Sequence, residues 1–360
     1  MPNNPKYLII GSNQSHSGKS ATILGAAHQL QQRGVVVGYG KPLGNNSTEV
    51  AEADVSFMTE ALKLSDNQIQ MPLLSVSQDM VKKCLETECA RDYSVPLKEY
   101  VSKIEGDLVF IEGPSTLNEG SLLNLSVERI AQIIDAPVIL VTHFNSNSQT
   151  LVDELLSAKK LLGKHLLGVV INDIQDNQLE MAGTIVKPFL EQQGIAVLGV
   201  LPRSSLLRSV SVRELAKQLN AKVLCRENRL DLMVESLKIG AMNVNSALEY
   251  FRQSRNMAVV TGGDRRDLQM AALETSTNCL ILTGHSLPHP DVISRADDLE
   301  VPILSVDLDT LTTVEIADYT FGQVRLKEPI KVQFIEELMA QYFDVERLMD
   351  LLGIEPKATL

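Results

Sequence analysis

Residues 11–20 read GSNQSHSGKS and follow a short apolar run, Tyr7–Ile10. In a phosphate-binding loop, or P-loop, glycines let successive backbone N–H groups turn around a phosphate. A lysine then reaches the outer phosphates, and the next hydroxyl ligates Mg²⁺. The segment Gly18–Ser20 supplies these parts, although the strict GxxxxGK[ST] pattern fails at Asn13, where it needs glycine. Because a strand leads in and a helix follows, the stretch predicts a site for a nucleoside triphosphate with Mg²⁺.

The residues expected to bind ATP share a position in this loop or directly before it. They are Ser12, Asn13, Ser15, His16, Ser17, Gly18, Lys19 and Ser20. His16 either contacts the γ-phosphate or is merely exposed, and the sequence leaves both interpretations open. Lys19 is the expected main cationic contact of the phosphates and a candidate catalytic residue.

Mg²⁺ prefers hard oxygen ligands, so one or two carboxylates are expected beside the hydroxyl of Ser20. Glu112 follows the apolar run 108–111 and precedes a glycine, which places it at the mouth of a predicted strand. It is either a metal ligand or a loop glutamate that caps the next helix. Asp54 is a further candidate, and by spacing alone it could equally be a surface charge.

Lys41 ends the second apolar run and is followed by Pro42. A second cation at this place could stabilise charge that develops on a transferring phosphoryl group. We therefore treat Lys41 as a candidate catalytic residue, with a solvated loop lysine as the alternative.

The first half of the chain alternates short apolar runs with longer amphipathic stretches, a pattern typical of a parallel sheet covered by helices on both faces. The predicted fold is α/β, with a doubly wound, mostly parallel sheet of P-loop NTPase type over residues 1–204. Functional residues should then lie at the carboxyl ends of the strands. The predicted strands are Tyr7–Ile10, Val35–Tyr39, Leu108–Ile111, Val138–Thr142, Leu167–Ile171 and Ala196–Leu201.

A second, smaller α/β domain is predicted over residues 205–322, followed by a helical tail over 323–360. Two strands of the second domain end in glycines, at Thr261–Gly263 and at Thr283-Gly284. Gly262 and Gly263 could cradle a small anion with Arg265 and Arg266, or form a tight structural turn with surface arginines. The tail should pack on the body of the protein or on a partner subunit.

Charge and composition exclude several classes of protein. A net charge of −12 argues against binding to nucleic acid, which needs a basic face. No apolar run reaches the roughly 18–20 residues that cross a bilayer, and no signal segment opens the chain, so we expect a cytoplasmic protein. The cysteines lack CxxC spacing and are predicted to be small buried residues without chemistry: Cys84, Cys89, Cys225 and Cys279.

The first half resembles the dethiobiotin synthetase-like P-loop proteins, and most of the chain is similar to the N-terminal portion of long-form phosphate acetyltransferases. The resemblance rests on Gly18–Ser20, Lys41-Pro42, Asp54, Glu112-Gly113, Asn172 and Leu198–Pro202. It implies that Ser20, Asp54 and Glu112 hold Mg²⁺. It also implies that Lys19 and Lys41 contact phosphate and the carbamate, and that Asn172 reads the adenine.

The second half resembles the DRTGG domain, with Thr261–Arg265 in place of the literal motif. Two departures limit what the resemblance implies. Pro114–Thr116 replaces further glycines of the synthetases, which argues against biotin synthesis. The acyltransferase catalytic domain does not follow, so acetyl transfer is not expected from this polypeptide alone.

These features favour a regulatory protein that binds ATP and Mg²⁺ in the P-loop domain and a second ligand, a small anion, or a subunit in the DRTGG-like domain. An ATP-dependent ligase that phosphorylates a carboxylate or carbamate is the alternative. A slow ATPase that acts as an assembly switch is a third interpretation. A homo-oligomer is expected in each case, with no nucleic acid or membrane partner.

Overall fold

The computed structural model describes residues 6–45, 48–87, 92–144, 147–284, 286–322 and 328–356. The chain divides into two compact units, and each has a central sheet. The first unit comprises Met1–Arg203 with Lys327–Leu360, and the second comprises Ser204–Leu326. The C-terminal segment is therefore part of the first unit.

The first unit is built on a seven-stranded sheet in which every pair of neighbouring strands is parallel. Its strands are β1 (Tyr7–Ser12), β2 (Val37–Gly40), β4 (Ile69–Gln70), β6 (Leu108–Glu112), β7 (Val138–His143), β8 (Leu166–Ile174) and β9 (Val197–Pro202). Their order across the sheet is β4-β2-β6-β1-β7-β8-β9. A short separate pair consists of β3 (Leu43–Asn45) and β5 (Leu74–Val76).

Helices cover both faces of this sheet. They are α1 (Lys19–Gln32), α2 (Thr48–Leu62), α3 (Gln78–Thr87), α4 (Ser94–Ser102), α5 (Val127–Ile134), α6 (Ser148–Leu162), α7 (Asp176–Met181), α8 (Lys187–Gln192), α15 (Pro329–Tyr342) and α16 (Val345–Leu352). Ile9, Val109 and Val138 pack with α4, α5, α6 and α8 on one face. On the other face, α1, α15 and α16 contact the strands. The predicted doubly wound α/β fold is confirmed.

The central strands are apolar along their whole length because they are buried on both faces. Leu8, Ile9 and Ile10 of β1 are fully buried, as are Val109 and Phe110 of β6. Such continuous apolar runs are typical of parallel sheets. The polar residues that end these strands therefore meet at one edge of the sheet.

Helix α15 packs on α1 rather than extending away from the first unit. A Cβ atom at Gly25 of α1 would lie 2.2 Å from Cγ of Met339, so only glycine allows the two helices to approach this closely. Ile335 and Met339 of α15 are buried in this contact. The apolar stripe of the tail is thus covered within the chain.

The second unit has a five-stranded sheet in the order β11-β16-β15-β14-β13, parallel except for β11 at its edge. The strands of the whole second unit, inside and outside this sheet, are β10 (Val210–Ser211), β11 (Lys222–Cys225), β12 (Met233–Val234), β13 (Ser236–Ile239), β14 (Met257–Gly262), β15 (Thr277–Thr283) and β16 (Ile303–Ser305). Its helices are α9 (Ser205–Arg208), α10 (Val212–Gln218), α11 (Val244–Phe251), α12 (Arg266–Leu273), α13 (Pro290–Asp298) and α14 (Thr310–Gly322). Strands β10 and β12 pair separately.

Two further predictions concern the whole chain. Among the described residues, no helix has both the length and the apolar character needed to cross a bilayer. Cys84 and Cys279 are buried and Cys225 is half-buried. Cys89 lies outside the described residues.

Candidate functional site

The predicted phosphate loop joins β1 to α1 at the carboxyl edge of the first sheet. Gly18 precedes the first helical residue and adopts a φ of 97°, in the left-handed region that favours glycine. A Cβ atom at this position would also lie 2.4 Å from Nδ2 of Asn172. Two independent constraints therefore require glycine at position 18.

The backbone of the loop offers unpaired donors. Within the described part of the chain, the N–H groups of residues 15 to 20 donate no hydrogen bond to a protein atom. Buried or half-buried N–H groups are normally paired, and free N–H groups at a helix start attract anions. The loop therefore has the donors that a phosphate group needs.

The first half of the loop is held by side chains. Ser12 is buried, and its Oγ accepts a hydrogen bond from the N–H of Gln14 at 3.0 Å and donates to the carbonyl of Gln14 at 2.6 Å. The amide groups of Asn13 and Gln14 both contact the carboxylate of Glu154 on α6. These contacts hold the loop in place. The hydroxyl of Ser12 is engaged in them, because it bonds to the backbone of Gln14 within the same turn.

The second half of the loop is held through its carbonyl groups. Asn172, on β8, donates from Nδ2 to the carbonyl of Ser17 at 2.8 Å. His143, at the end of β7, lies with Nε2 at 3.0 Å from the carbonyl of His16. The side chains of Ser15 and His16 themselves are exposed. Asn172 thus supports the loop, a role that the implied contact with adenine did not include.

Lys19 begins α1, and its Nζ donates to the carbonyl of Ser115 at 3.3 Å. Burial lowers the pKa of its ammonium group, while Glu112 acts in the opposite direction. Only 9% of the residue is exposed. The ammonium group is therefore held close to the loop by the strand-end segment that follows β6.

Glu112 is the last residue of β6 and only 4% exposed, so it belongs to a strand rather than to a loop. Both of its carboxylate oxygens lie 3.1 Å from the hydroxyl of Ser20, and Oε2 accepts from the phenol of Tyr39 at 2.9 Å. Burial by itself raises the pKa of Glu112, but Lys41, Lys19 and these two hydrogen bonds outweigh it and lower the pKa. A buried ionised carboxylate is thus fully partnered.

Lys41 lies between two carboxylates. Its Nζ is 2.9 Å from Oδ2 of Asp54 and 3.4 Å from Oε1 of Glu112. The Lys41 side chain is 12% exposed and that of Asp54 is 41% exposed. Glu112 raises the pKa of Lys41, burial opposes this, and Asp54 adds to the rise. The alternative of a solvated loop lysine does not describe this side chain.

The oxygen atoms at this edge suit Mg²⁺. The Ser20 hydroxyl and the carboxylates of Asp54 and Glu112 are hard ligands, and Mg²⁺ usually takes one or two carboxylates and completes its shell with water and phosphate. Among the described residues, no group of three or more His, Cys, Asp and Glu side chains forms a separate metal cage.

Three supporting residues were missed from the sequence. Tyr39 lies on β2, two positions before Lys41. Because residues two apart along a strand point to the same face, the position of Lys41 could have indicated that of Tyr39. His143 ends β7, the strand beside β1, and the parallel topology could have indicated it. Ser115 contributes only a carbonyl group, for which no sequence signal exists.

The glycine pair of the second unit differs from the loop. The N–H of Gly263 donates to the carbonyl of Thr283 at 3.1 Å. Arg265 lies 3.3 Å from Asp267, and Nε of Arg266 lies 2.8 Å from Oδ2 of Asp291. Both arginines are therefore paired with aspartates.

Two family models match the chain. A model described as an AAA domain matches residues 6–211, which is more than half of the chain, and a DRTGG domain model matches residues 214–319.

Curated relatives match most of the chain. The phosphate acetyltransferase of Nitratidesulfovibrio vulgaris is 26% identical over 365 residues, which span 95% of this chain and 51% of the relative. That of Synechocystis is 22% identical over 385 residues, which span 98% and 53%. The cobyrinate a,c-diamide synthase of Clostridium acetobutylicum is 25% identical over 250 residues, which span 69% and 52%.

The chain spans about half the length of the curated relatives that it matches. Its order of domains, a P-loop domain and then a DRTGG domain, is the order predicted from the sequence. The chain belongs to the AAA-domain family of P-loop proteins, carries a DRTGG domain behind the P-loop domain, and is related to phosphate acetyltransferases.

Proposed function

We propose that this protein binds ATP with Mg²⁺ at the P-loop and that occupancy of this site regulates what the second unit binds. The observation that carries the proposal is the convergence of the unpaired N–H groups of residues 15–20 with Lys19, Ser20, Lys41 and Glu112 at one edge of the sheet. Donors, cations and hard oxygen ligands at one place suit a triphosphate with its metal better than any neutral ligand.

Each predicted residue has a role in this proposal. The loop residues Ser12, Asn13, Ser15, His16, Ser17 and Gly18 shape the cradle, and Lys19 pairs with the outer phosphates. Ser20, Asp54 and Glu112 would hold Mg²⁺, which neutralises phosphate charge when it is bound. Asn172 keeps its hydrogen bond to Ser17 and thereby holds the loop in shape.

A regulatory role fits a chain that carries two different domains. The chain aligns with about half of each phosphate acetyltransferase, and its second part is a DRTGG domain. A ligand that binds one of two states of a protein more tightly shifts the equilibrium towards that state, and two sites coupled in this way affect each other reciprocally. ATP bound to the first unit is therefore proposed to change the affinity of the second unit for its partner.

A small anion is a proposed ligand of the second unit at Gly262 and Gly263. Such an anion would compete with Asp267 for Arg265 and with Asp291 for Arg266. A second copy of this chain is the other proposed partner, which nucleotide would then recruit or release.

An ATP-dependent ligase is the second candidate. Lys19 and Lys41 both interact with Glu112, so two cations flank the position proposed for the terminal phosphate. One relative is a cobyrinate a,c-diamide synthase. A ligase would couple ATP hydrolysis to a small carboxylate acceptor, whereas a regulator would hydrolyse ATP slowly.

Calorimetric titration with ATP and Mg²⁺ tests the first step. We expect the wild type and the control Lys98→Ala, which changes an exposed residue of α4, to bind ATP, and Lys19→Ala to bind it much more weakly. Phosphate release is then measured on the same samples with and without carboxylate acceptors. Slow release that no acceptor stimulates supports the regulator, and acceptor-stimulated release supports the ligase.

Size-exclusion chromatography with and without ATP tests the assembly. An oligomer that changes size with nucleotide would support the switch. Equal Kd values for the wild type and Lys19→Ala would contradict the proposed site.

A further inference from the structure

The side chain of Lys41 occupies the place where a divalent cation would meet the carboxylates. Its Nζ is 2.9 Å from Asp54 and 3.4 Å from Glu112, the two carboxylates that fit Mg²⁺. An ammonium group and a metal ion compete for such oxygens, because both require them as negatively charged partners. The ammonium group of Lys41 and a Mg²⁺ ion therefore cannot both occupy the position between these two carboxylates at the same time.

The buried carboxylate of Glu112 requires a positively charged partner beside it. Its side chain is 5% exposed, and an ionised carboxylate at that depth is costly unless it is paired. Tyr39 and Ser20 donate hydrogen bonds to it but carry no charge. Among the described residues, Lys41 forms an ion pair with Glu112 at 3.4 Å and so supplies the positive charge beside this carboxylate.

A divalent cation that arrives alone must displace this lysine and leave its ammonium group without a partner. Nearby Lys19 is a second cation and offers no replacement for the lost carboxylates. A terminal phosphate held by the loop changes this balance, because it brings negative charge to the same edge. The ammonium group of Lys41 can then pair with phosphate and release the carboxylates to the metal.

We propose that Lys41 is a tethered counter-ion that couples the two ligands: it excludes a divalent cation from Asp54 and Glu112 until a nucleotide is bound. This inference rests on the proposed binding of ATP and Mg²⁺ and adds the order in which they bind, with the nucleotide before the metal. Coupling between two ligands is reciprocal, so the metal raises nucleotide affinity by the factor by which nucleotide raises metal affinity. Without the charge of Lys41, the factor by which each ligand raises the affinity for the other should fall.

Binding of Mn²⁺ without nucleotide is the direct test, because the electron paramagnetic resonance signal of free Mn²⁺ reports it without any activity. Four full-length proteins are compared: the wild type, Lys41→Met, Lys41→Arg and Lys98→Met. Lys98→Met removes the same charge from an exposed position on α4 and controls for net charge. We expect Mn²⁺ affinity to rise about tenfold or more in Lys41→Met alone.

The same proteins are then titrated with ATP in EDTA and in Mg²⁺. In the wild type, Lys41→Arg and Lys98→Met, Mg²⁺ should raise ATP affinity strongly. In Lys41→Met, the ratio of the two affinities should fall about tenfold. If Lys41→Met is less stable, the rise in its unfolding temperature on addition of Mn²⁺ alone gives the same information, and the wild type should show no such rise.

Two results would overturn the inference while leaving the proposed function intact. One is wild-type binding of ATP with Mg²⁺ together with unchanged Mn²⁺ affinity in Lys41→Met. The other is Lys41→Arg binding Mn²⁺ alone as tightly as Lys41→Met, since the charge of residue 41 would then be irrelevant. If the wild type binds no ATP with Mg²⁺, the proposed function itself falls.

Discussion

Both units of this protein place a glycine-containing turn at the carboxyl end of a parallel strand, yet the two turns differ in the partners of their N–H groups and cations. In the first unit, the N–H groups of residues 15–20 have no partner among the described residues. In the second, the N–H of Gly263 is bonded to Thr283. The cations differ as well: Lys19 and Lys41 are largely buried, whereas Arg266 is exposed and paired with Asp291.

Glycines at a strand end do not by themselves make an anion site. The first turn is supported from outside, by Asn172 and His143, and this support keeps its own donors free. In the second turn, the N–H of Gly263 is already bonded to the neighbouring strand end. Buried cations and carboxylates, rather than the glycines, distinguish the candidate site.

Glu112→Gln should have the largest effect on stability. It keeps the volume of the side chain but removes the buried charge that pairs with Lys41, and breaking such a pair costs about 3 kcal/mol. The free energy of unfolding of the first unit, measured by circular dichroism in urea, should fall by about that amount. An unchanged value would show that the buried pair contributes nothing.

The same variant gives a prediction about pH. Because the pKa of Glu112 is lowered in the folded protein, its stabilisation is present above the unfolded pKa, about 4.3, and is lost as the pH falls through the folded pKa. The difference in stability between the wild type and Glu112→Gln should therefore narrow below about pH 4. A difference that stays constant from pH 7 to pH 3 would contradict the assignment.

Lys19→Ala removes a charged hydrogen-bond donor from the loop, which is worth about 2 kcal/mol, or roughly thirtyfold in Kd. Titration calorimetry with ATP and Mg²⁺ measures this loss. Arg266→Ala, which removes a cation from the turn of the second unit, serves as the matched variant and should leave the Kd for ATP unchanged. An equal loss in both variants would break the contrast between the two turns.

Gly18→Ala and Gly263→Ala should separate affinity from stability. At Gly18 the positive φ and the contact with Asn172 both oppose a Cβ atom, so the variant should lose about 1–3 kcal/mol of ATP binding. At Gly263 a Cβ atom would lie 1.9 Å from the carbonyl oxygen of Ser286, so the loss, about 1–3 kcal/mol, should appear in the stability of the second unit. Gly183→Ala is the control, since open space surrounds that position.

Asp291→Asn should have the smallest effect. Arg266, and to a lesser extent His289, lower the pKa of Asp291, but the pair lies in solvent and such pairs contribute little to stability. Thermal unfolding of the variant should match that of the wild type. If the variant binds inorganic phosphate more tightly, freed Arg266 would become a candidate anion contact.

Much of the fold was predictable because parallel strands that are buried on both faces have unbroken apolar sequences. The strand before the loop and the strand that ends in Glu112 were both predicted, with ends displaced by one or two residues. The short strand β4 was missed, because Ile69-Gln70 carries no periodic signal. Helix α15 was expected from its apolar spacing, but its contact with α1 depends on the single glycine at position 25.

The site was predictable in part. The cations and carboxylates were named from motif and strand-end position, but their partners were not. Tyr39 and His143 come close to the loop only through the order of strands across the sheet, which the sequence does not state. The bond from Asn172 to Ser17 joins residues 155 positions apart along the chain.

The order of strand, loop and helix, the place of Lys19 and Ser20 at the helix start, and the division into two α/β parts can be inferred from the amino-acid sequence, because these features depend on neighbours along the chain. The position of Lys41 between Asp54 and Glu112 and the pairing of the second unit's arginines become visible in the folded protein. The physical reason is that pairing and burial depend on distances in space, and residues far apart in sequence set those distances when the strands align.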